Sequence, residues 1–301
     1  MSTTVSPDLR AGLAGLVDDA AIFPPGNAPI PDALRRHGRH RSAWYADLLG
    51  PFVCSDTRLP DLQRALDAVD ELPLPLRVTL TISGGAGAVE PALTWLQRDD
   101  RLALASVEAA LRDETDLAHN ASRLTVVLAS ALPEDAVAYV EVPRLHGPEA
   151  SPGWLSALDE VAAAGHRLKF RTGGPDRDAF PSAGELAGVV TAALDREVEF
   201  KLTAGLHHAV RHTARDSGFE HHGFLNVLLA TRASLDGAGN DDVVRLLEER
   251  DPAIVTDRVR ARGADGLAST RRWFCSFGTC SVDEPVGDLV RLGLVGEGQA
   301  R

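Results

Sequence analysis

The chain has 301 residues, 44% apolar and 25% charged, with a formal net charge of −12. This balance builds a core without covalent staples, and the length suits one large α/β domain, because closed α/β barrels take ~250 residues as one unit. The acidic excess repels phosphate backbones and anionic lipid, and no run approaches the ~18 apolar residues of a span, so neither nucleic acid nor a membrane is expected as a partner.

Strand-like segments recur along the chain at Ala20–Phe23, Gly50–Ser55, Leu76–Ser83, Leu102–Ala110, Ala136–Val142, Arg167–Thr172, Glu197–Thr203 and Arg272–Thr279. Helical patterns separate them at Leu59–Glu71, Glu90–Gln97, Asp116–Leu132, Pro152–Ala164 and Ala183–Leu194. In the third of these, Leu124–Leu128 is β-branched enough to compete as a strand. The basic run Arg35 to Arg41 reads as an exposed helix end. Alternation of this kind implies parallel strands with crossover helices, and eight repeats imply closure, which removes exposed edges. The expected fold is therefore a single (β/α)8 TIM barrel over residues 1–301.

One interval breaks the rhythm. Residues 207–270, between the seventh and eighth strands, far exceed the ~2–6 residues of an ordinary α/β loop. They hold an apolar stretch, Gly223–Ala230, a turn at Leu235–Asn240 and a charged helix, Asp241–Glu249. Two readings stand: an insertion on the catalytic face, or a helical hairpin covering the flank.

The chemistry is written on the strand faces. Side chains alternate along a strand, so in the sixth strand Leu168 and Phe170 meet the helix layer while Arg167, Lys169 and Arg171 point inward. In the seventh, Phe200 and Leu202 face out, and Glu199, Lys201 and Thr203 face in. Tyr139 and Glu141 of the fifth and Ser106 and Glu108 of the fourth are inward as well. A barrel built only for stability fills such positions with branched apolar residues, because buried charge is costly unless paired or used. A plain structural reading is an ion-pair network of Glu141 with Lys169 or Arg171. That reading leaves two lysines on adjacent strands ~4.8 Å apart unexplained. Close cations and desolvation each lower a lysine pKa, and a neutral lysine attacks carbonyl carbon. One lysine would attack while the other holds its pKa down.

At this point the sequence resembles the deoxyribose-phosphate aldolase family of class I, Schiff-base aldolases. Lys169-Phe170-Arg171-Thr172-Gly173 is similar to the family's K-T-S-T-G, whose lysine forms the imine. Lys201-Leu202-Thr203-Ala204-Gly205 is similar to K-A-S-G-G, whose lysine tunes the first. Phe277-Gly278-Thr279-Cys280-Ser281 is similar to I-G-T-S-S, Val17-Asp18-Asp19-Ala20-Ala21-Ile22 to I-D-H-T-L-L, and Phe52-Val53-Cys54 to V-C-V. Glu108 falls where the family carries a proton-relay aspartate. The matches keep their order over nearly the whole chain. The resemblance implies a barrel fold, a lysine imine, and substrate contacts at Arg171, Thr172, Gly173, Thr203, Gly205, Cys54, Thr279, Cys280 and Ser281. The family's phosphate-holding G-G-I-R is replaced by Ala204-Gly205-Leu206-His207-His208, which argues against a simple sugar phosphate.

His207, His208, His212, His221 and His222 cluster after the seventh strand, and His208 and His212 have the i, i+4 spacing of helix-borne ligands. They read as substrate contacts, as an acid/base group, as part of a metal site, or as structural histidines. Asp18, Asp19 and Asp56 are strand-end carboxylates suited to substrate hydroxyls or loop capping; Asn27 and Arg58 are weaker candidates. Cys54, Cys275 and Cys280 lack C-x-x-C spacing, which argues against disulfides or thiolate zinc and favours a reducing cytoplasm. Residues Met1 to Gly12 show no apolar leader pattern, so no secretory signal is expected.

The sequence thus points first to a class I aldolase-like lyase or ligase acting on a small carbonyl substrate, with Lys169, Lys201, Glu108 and Glu141 catalytic, His207, His208 and Arg171 in contact with substrate, and neither metal nor organic cofactor. The alternatives are a metal-dependent hydrolase or isomerase using Glu108, Glu141 and His207 or His208, and a non-catalytic ligand-binding barrel. Association into a homo-oligomer is left open.

Overall fold

The computed structural model describes residues 9–69, 72–112 and 115–296. Residues 70 and 71, where the helix expected from Leu59 ends, lie outside the described residues, as do residues 1–8 of the stretch read for a leader. Eight parallel strands close into a barrel: β1 (Val17–Asp19), β2 (Leu49–Ser55), β3 (Leu76–Ile82), β4 (Leu102–Ala110), β5 (Val137–Glu141), β6 (Arg167–Arg171), β7 (Phe200–Thr203) and β10 (Phe274–Thr279), with β10 pairing back onto β1. The helices between them are α1 (Ile30–Ser42), α2 (Leu59–Leu66), α3 (Val89–Leu96), α4 (Leu117–Ala131), α5 (Pro152–Ala163) and α6 (Ala183–Leu194). The molecule is a (β/α)8 barrel. No helix among the described residues is long and apolar enough to cross a membrane.

Local chemistry fixes where the helices begin. Ser151 and Ser182 accept from the backbone N–H of Trp154 and Glu185, and Asp116 accepts from His119, so three helices start where side-chain oxygens satisfy otherwise orphaned donors. Leu124–Leu128 is helical: Leu124 and Leu128 are buried while Val126 between them is exposed, a helical rather than an alternating pattern.

Two expectations are corrected. The first strand is Val17–Asp19, not Ala20–Phe23. Residues 20–23 turn instead, with the Phe23 N–H donating to Ala20 and the Ala28 N–H to Ala21. Two consecutive aspartates look wrong for a buried strand, but one faces a lysine inside the barrel and the other a histidine outside it. The basic run at Arg35–Arg41 is not merely an exposed end: α1 buries Ala33, Leu34, His37 and His40 against the barrel.

The long interval is built of a short ribbon and three helices. A short antiparallel ribbon, β8 (His212–Thr213) with β9 (Glu220–His221), follows β7, and α7 (Phe224–Leu235), α8 (Asn240–Glu248) and α9 (Pro252–Arg271) then pack on the flank. The apolar α7 touches α6, α8, α9 and β10, taking the place of the seventh barrel helix. The last helix is α10 (Asp283–Arg291).

Candidate active site

The register of β6 on β7 sets Lys169 directly beside Lys201. Leu168, Phe170, Phe200 and Leu202 are fully buried in the helix-facing layer, so the two lysines enter the barrel, where both are buried. Glu108 comes from β4 and bridges them: its Oε2 lies 2.6 Å from Lys169 Nζ and its Oε1 2.5 Å from Lys201 Nζ. Glu141, beside Lys169 in the β5–β6 register, places Oε2 2.8 Å from Lys169 Nζ, while its Oε1 accepts from Arg171 Nε at 3.2 Å. Lys201 also donates to Asp18, which accepts a 2.8 Å hydrogen bond from Ser276 Oγ.

Three carboxylates (Asp18, Glu108, Glu141) thus face three cations (Lys169, Lys201, Arg171), and the carboxylates decide the charge states. Burial pushes both lysines down, but the neighbouring carboxylates outweigh it and hold Lys169 and Lys201 above the ordinary lysine range. This corrects the expectation that the lysines would hold each other's pKa down: the carboxylate they share lies 2.6 Å from one ammonium and 2.5 Å from the other and offsets their repulsion. Burial likewise pushes Glu108 up, and the two ammonium groups reverse it, leaving the carboxyl at about 2. Glu141 is held below its usual range by Lys169 and Arg171 against burial, whereas burial wins at Asp18 and raises it.

A second polar layer lies beneath. Lys201 Nζ sits 5.2 Å over the Tyr139 ring, and Tyr139 Oη accepts from Arg167 at 3.2 Å. Arg167 pairs with Glu199 at 2.5 Å, and Cys275 Sγ lies 3.5 Å from Glu199. Half-buried Arg271 closes this end by donating to the carbonyls of Ala14, Phe274 and Cys275.

At the opposite, C-terminal mouth, the loops after β6 and β7 touch. A Cβ on Gly173 would come within 2.8 Å of Gly205 Cα, and one on Gly205, at φ +77°, within 2.6 Å of the Thr172 carbonyl. Only glycine allows that approach. Thr172 Oγ1 ties the loops by donating to the carbonyls of Ala204 and, at 3.3 Å, Thr203. His207 Nδ1 lies 2.7 Å from Glu284 and 3.3 Å from Thr279 Oγ1, and the Ser281 N–H donates back to Thr279 Oγ1. His207, Thr279 and Ser281 therefore share one side of the mouth.

The other sequence-derived candidates are placed elsewhere or otherwise occupied. His208 pairs with Asp288 at 3.0 Å, a hydrogen bond that raises its pKa, and packs edge-on against His212, which in turn contacts His221. His222 bonds the Pro181 carbonyl, and burial lowers it to about 4. Cys54 is fully buried, with its thiol pushed up to about 12, and acts as a small hydrophobe. Cys280 abuts Gly26, and burial raises its thiol as well. Asp56 caps a turn by accepting from Ser83 Oγ at 2.8 Å, Arg58 pairs with Asp61, and Asn27 bonds the nearby Pro25 carbonyl. Asp19 accepts from the backbone of Ala21 and pairs with buried His37 at 3.0 Å, clamping α1 to β1.

The sequence reading missed two members of the central cluster. In the sequence Asp18 reads as a strand-end carboxylate for substrate hydroxyls or loop capping, and no pattern marks Ser276. The available signal was stoichiometric: two inward lysines needed more inward acid than Glu108 and Glu141 once Arg171 is counted. Among the described residues, no three His, Cys, Asp or Glu side chains gather as metal ligands, because Glu108 and Glu141 turn to lysines while His207 and His208 turn to Glu284 and Asp288. No protein-family model matches the chain, and no curated protein matches it.

Proposed function

We propose that the protein is a class I aldolase-like carbon–carbon lyase or ligase, in which Lys169 forms a Schiff base with a small carbonyl compound that is not a simple sugar phosphate. The observation that carries this reading is Lys169 itself. Its ammonium lies inside the barrel, away from solvent, between two carboxylates at 2.6 and 2.8 Å, just beneath the end where barrel enzymes hold their substrates.

The electrostatics support an imine rather than a resting free amine. The Lys169 ammonium passes a proton to Glu141, and the neutral nitrogen adds to the carbonyl carbon. Glu141 returns the proton to the carbinolamine hydroxyl, which leaves as water, and a protonated imine remains on Nζ. Ammonium and iminium carry the same charge, so a pocket organised around one is organised around the other. The initial proton transfer is uphill in this cluster. It is drawn forward by release of water and by recovery of the buried positive charge. The iminium then acts as the electron sink for bond making or breaking at the adjacent carbon, so no organic cofactor is invoked.

The carboxylates divide the work. Glu108, pressed to about 2 by two ammonium groups, is a poor base and serves to position both lysines. Glu141 has a single lysine partner and a side chain 17% exposed toward the mouth, which suits it to move the proton at the α-carbon. Lys201, locked between Asp18 and Glu108, supplies fixed positive charge behind the nitrogen.

The test is borohydride reduction in the presence of a panel of small aldehydes, ketones and oxo acids, followed by intact mass and peptide mapping. The expected result is one adduct on the peptide that holds Lys169, absent in Lys169→Met. A folded protein that yields no adduct with any carbonyl, from neutral to mildly alkaline pH, overturns the proposal.

A further inference from the structure

We propose that a cleft of about 470 Å³ beside α1 binds the phosphate group of a small organic molecule through Arg35, Arg36 and Arg39. One wall is the β1–α1 loop at Gly26 and Asn27; the other is the face of α1 that carries the three arginines and Asp32. This site is separate from the lysine cluster, and its existence does not rest on the imine chemistry.

The cleft gathers three cations and neutralises only one of them. Arg35 and Arg39 are a like-charged i, i+4 pair, an arrangement that destabilises a helix, and Arg36 adds a third guanidinium beside them. Asp32 pairs with Arg35 at 2.8 Å. Among the described residues no ion pair holds Arg36 or Arg39, and Arg36 Nε is buried without a hydrogen-bond partner. That Nε is enclosed by protein, so an anion seated in the cleft would meet the other atoms of Arg36 and Arg39 that line it. The concentration stands out in a chain whose formal charge is −12.

The chemistry of the lining selects the ligand. Guanidinium forks bind phosphate oxygens bidentately, and two uncompensated forks match the charge of one phosphate dianion. The carboxylate of Asp32 in the lining and the chain's net charge of −12 disfavour a polymeric nucleic acid. The position matters too. A Cβ on Gly26 would lie 2.9 Å from Cys280 Cβ, so the cleft shares a wall with the loop after β10 at the barrel mouth. The phosphate can therefore belong to a separate effector or to the far end of a molecule whose carbonyl reaches Lys169. Recognition is the same in both cases.

The test is calorimetric titration of the full chain with inorganic pyrophosphate. Wild type should saturate at submillimolar to low millimolar concentration. Arg36→Gln/Arg39→Gln, which removes both unpaired cations from a surface helix face, should weaken binding about tenfold or more while keeping the wild-type melting temperature. Lys169→Met should bind pyrophosphate as wild type does, which separates this site from the lysine cluster. If pyrophosphate also suppresses borohydride trapping, the phosphate belongs to a molecule that reaches the mouth; if it binds without suppression, it belongs to a separate effector, and either result upholds the site. The proposal is overturned if wild type does not bind, if the folded double variant binds equally well, if Lys169→Met abolishes binding, or if a short oligonucleotide binds more tightly than pyrophosphate through the same arginines.

Discussion

The barrel holds two layers of charge, a half-buried lower one and a buried upper one, built from different cations. The lower layer uses arginine: Arg167 against Glu199 and Tyr139, and Arg271 against backbone carbonyls. The upper layer uses lysine, at 169 and 201, against Asp18, Glu108 and Glu141. An ion-pair network needs only fixed charge and many donors, which arginine supplies with its five N–H groups and permanent protonation. Lysine makes a poorer strut, and it alone can shed a proton and become a nucleophile. Burial lowers Arg271 to about 10, and it still stays charged at neutral pH. The lower layer therefore reads as the plug of the barrel. The choice of lysine above it, near the mouth, is what a purely structural network leaves unexplained.

The sharpest way to break this contrast is to exchange the layers' roles. Lys169→Met should abolish carbonyl trapping and turnover altogether, whereas Arg167→Met, one layer down, should leave the adduct at Lys169 intact. Trapping that survives Lys169→Met, or moves to Lys201, ends the assignment. Next in size is Glu108→Gln. It removes the bridge between two buried ammonium groups, and stripping one partner from a buried ion pair costs about 3–5 kcal/mol. Urea denaturation should show a loss of that order. Glu199→Gln, whose carboxylate is 37% exposed, should lose far less, within about 1 kcal/mol.

The layers should also differ in pH dependence. The folded Glu108 pKa, about 2, lies below its unfolded value of about 4.3, so its contribution is complete above the unfolded value and is lost as pH falls toward 2. Glu141 acts in the same direction, and Asp18, whose pKa is raised, acts in the opposite one. Wild type should lose stability steeply across that acid window, and Glu108→Gln should flatten the slope. On the alkaline side, Lys169 is raised above the ordinary value, so its stabilisation is present below that value and fades as pH climbs through the folded one. Imine trapping should accelerate over the same climb, because the free amine becomes accessible. A trapping rate that is flat from neutral to alkaline pH would contradict the ammonium assigned to the resting state.

Much of this was legible because strands obey a period of two. Leu168-Lys169-Phe170 and Phe200-Lys201-Leu202 leave no choice of face once one side must meet helices, and both lysines lie where the pattern placed them. The charge state was not legible, because it depends on where Glu108 and Asp18 reach across the barrel, and such distances follow from strand order and shear rather than from any local pattern. The first strand escaped for a related reason. Val17-Asp18-Asp19 is too short and too acidic to show periodicity, and its partners, Phe277–Thr279 on one side and Leu49–Phe52 on the other, are remote in sequence. The histidines do gather, with His208, His212 and His221 in contact in series and the β8–β9 ribbon pairing His212 with His221, but His207 and His208 are bound to Glu284 and Asp288 of α10, acids that no local spacing reveals.

The smallest expected effect tests whether the upper layer is held from above. Thr172 is buried, and its hydroxyl joins the loops after β6 and β7 through the Ala204 and Thr203 carbonyls. Thr172→Val keeps the shape and removes the hydroxyl. The Thr203 carbonyl keeps its bond from the Thr172 N–H at 2.9 Å, so a single acceptor, on Ala204, loses its side-chain donor and the cost should be about 1 kcal/mol. In the lower layer Cys275→Ala removes only a thiol 3.5 Å from Glu199 and should cost no more. The two variants should therefore be close in stability and separate in chemistry: Thr172→Val slackens the contact of Gly173 on Gly205 two residues beyond Arg171 and should slow trapping at Lys169, while Cys275→Ala should leave it unchanged. Equal trapping rates in both would mean that the mouth does not position the lysine, and that the carboxylates around Nζ hold it alone.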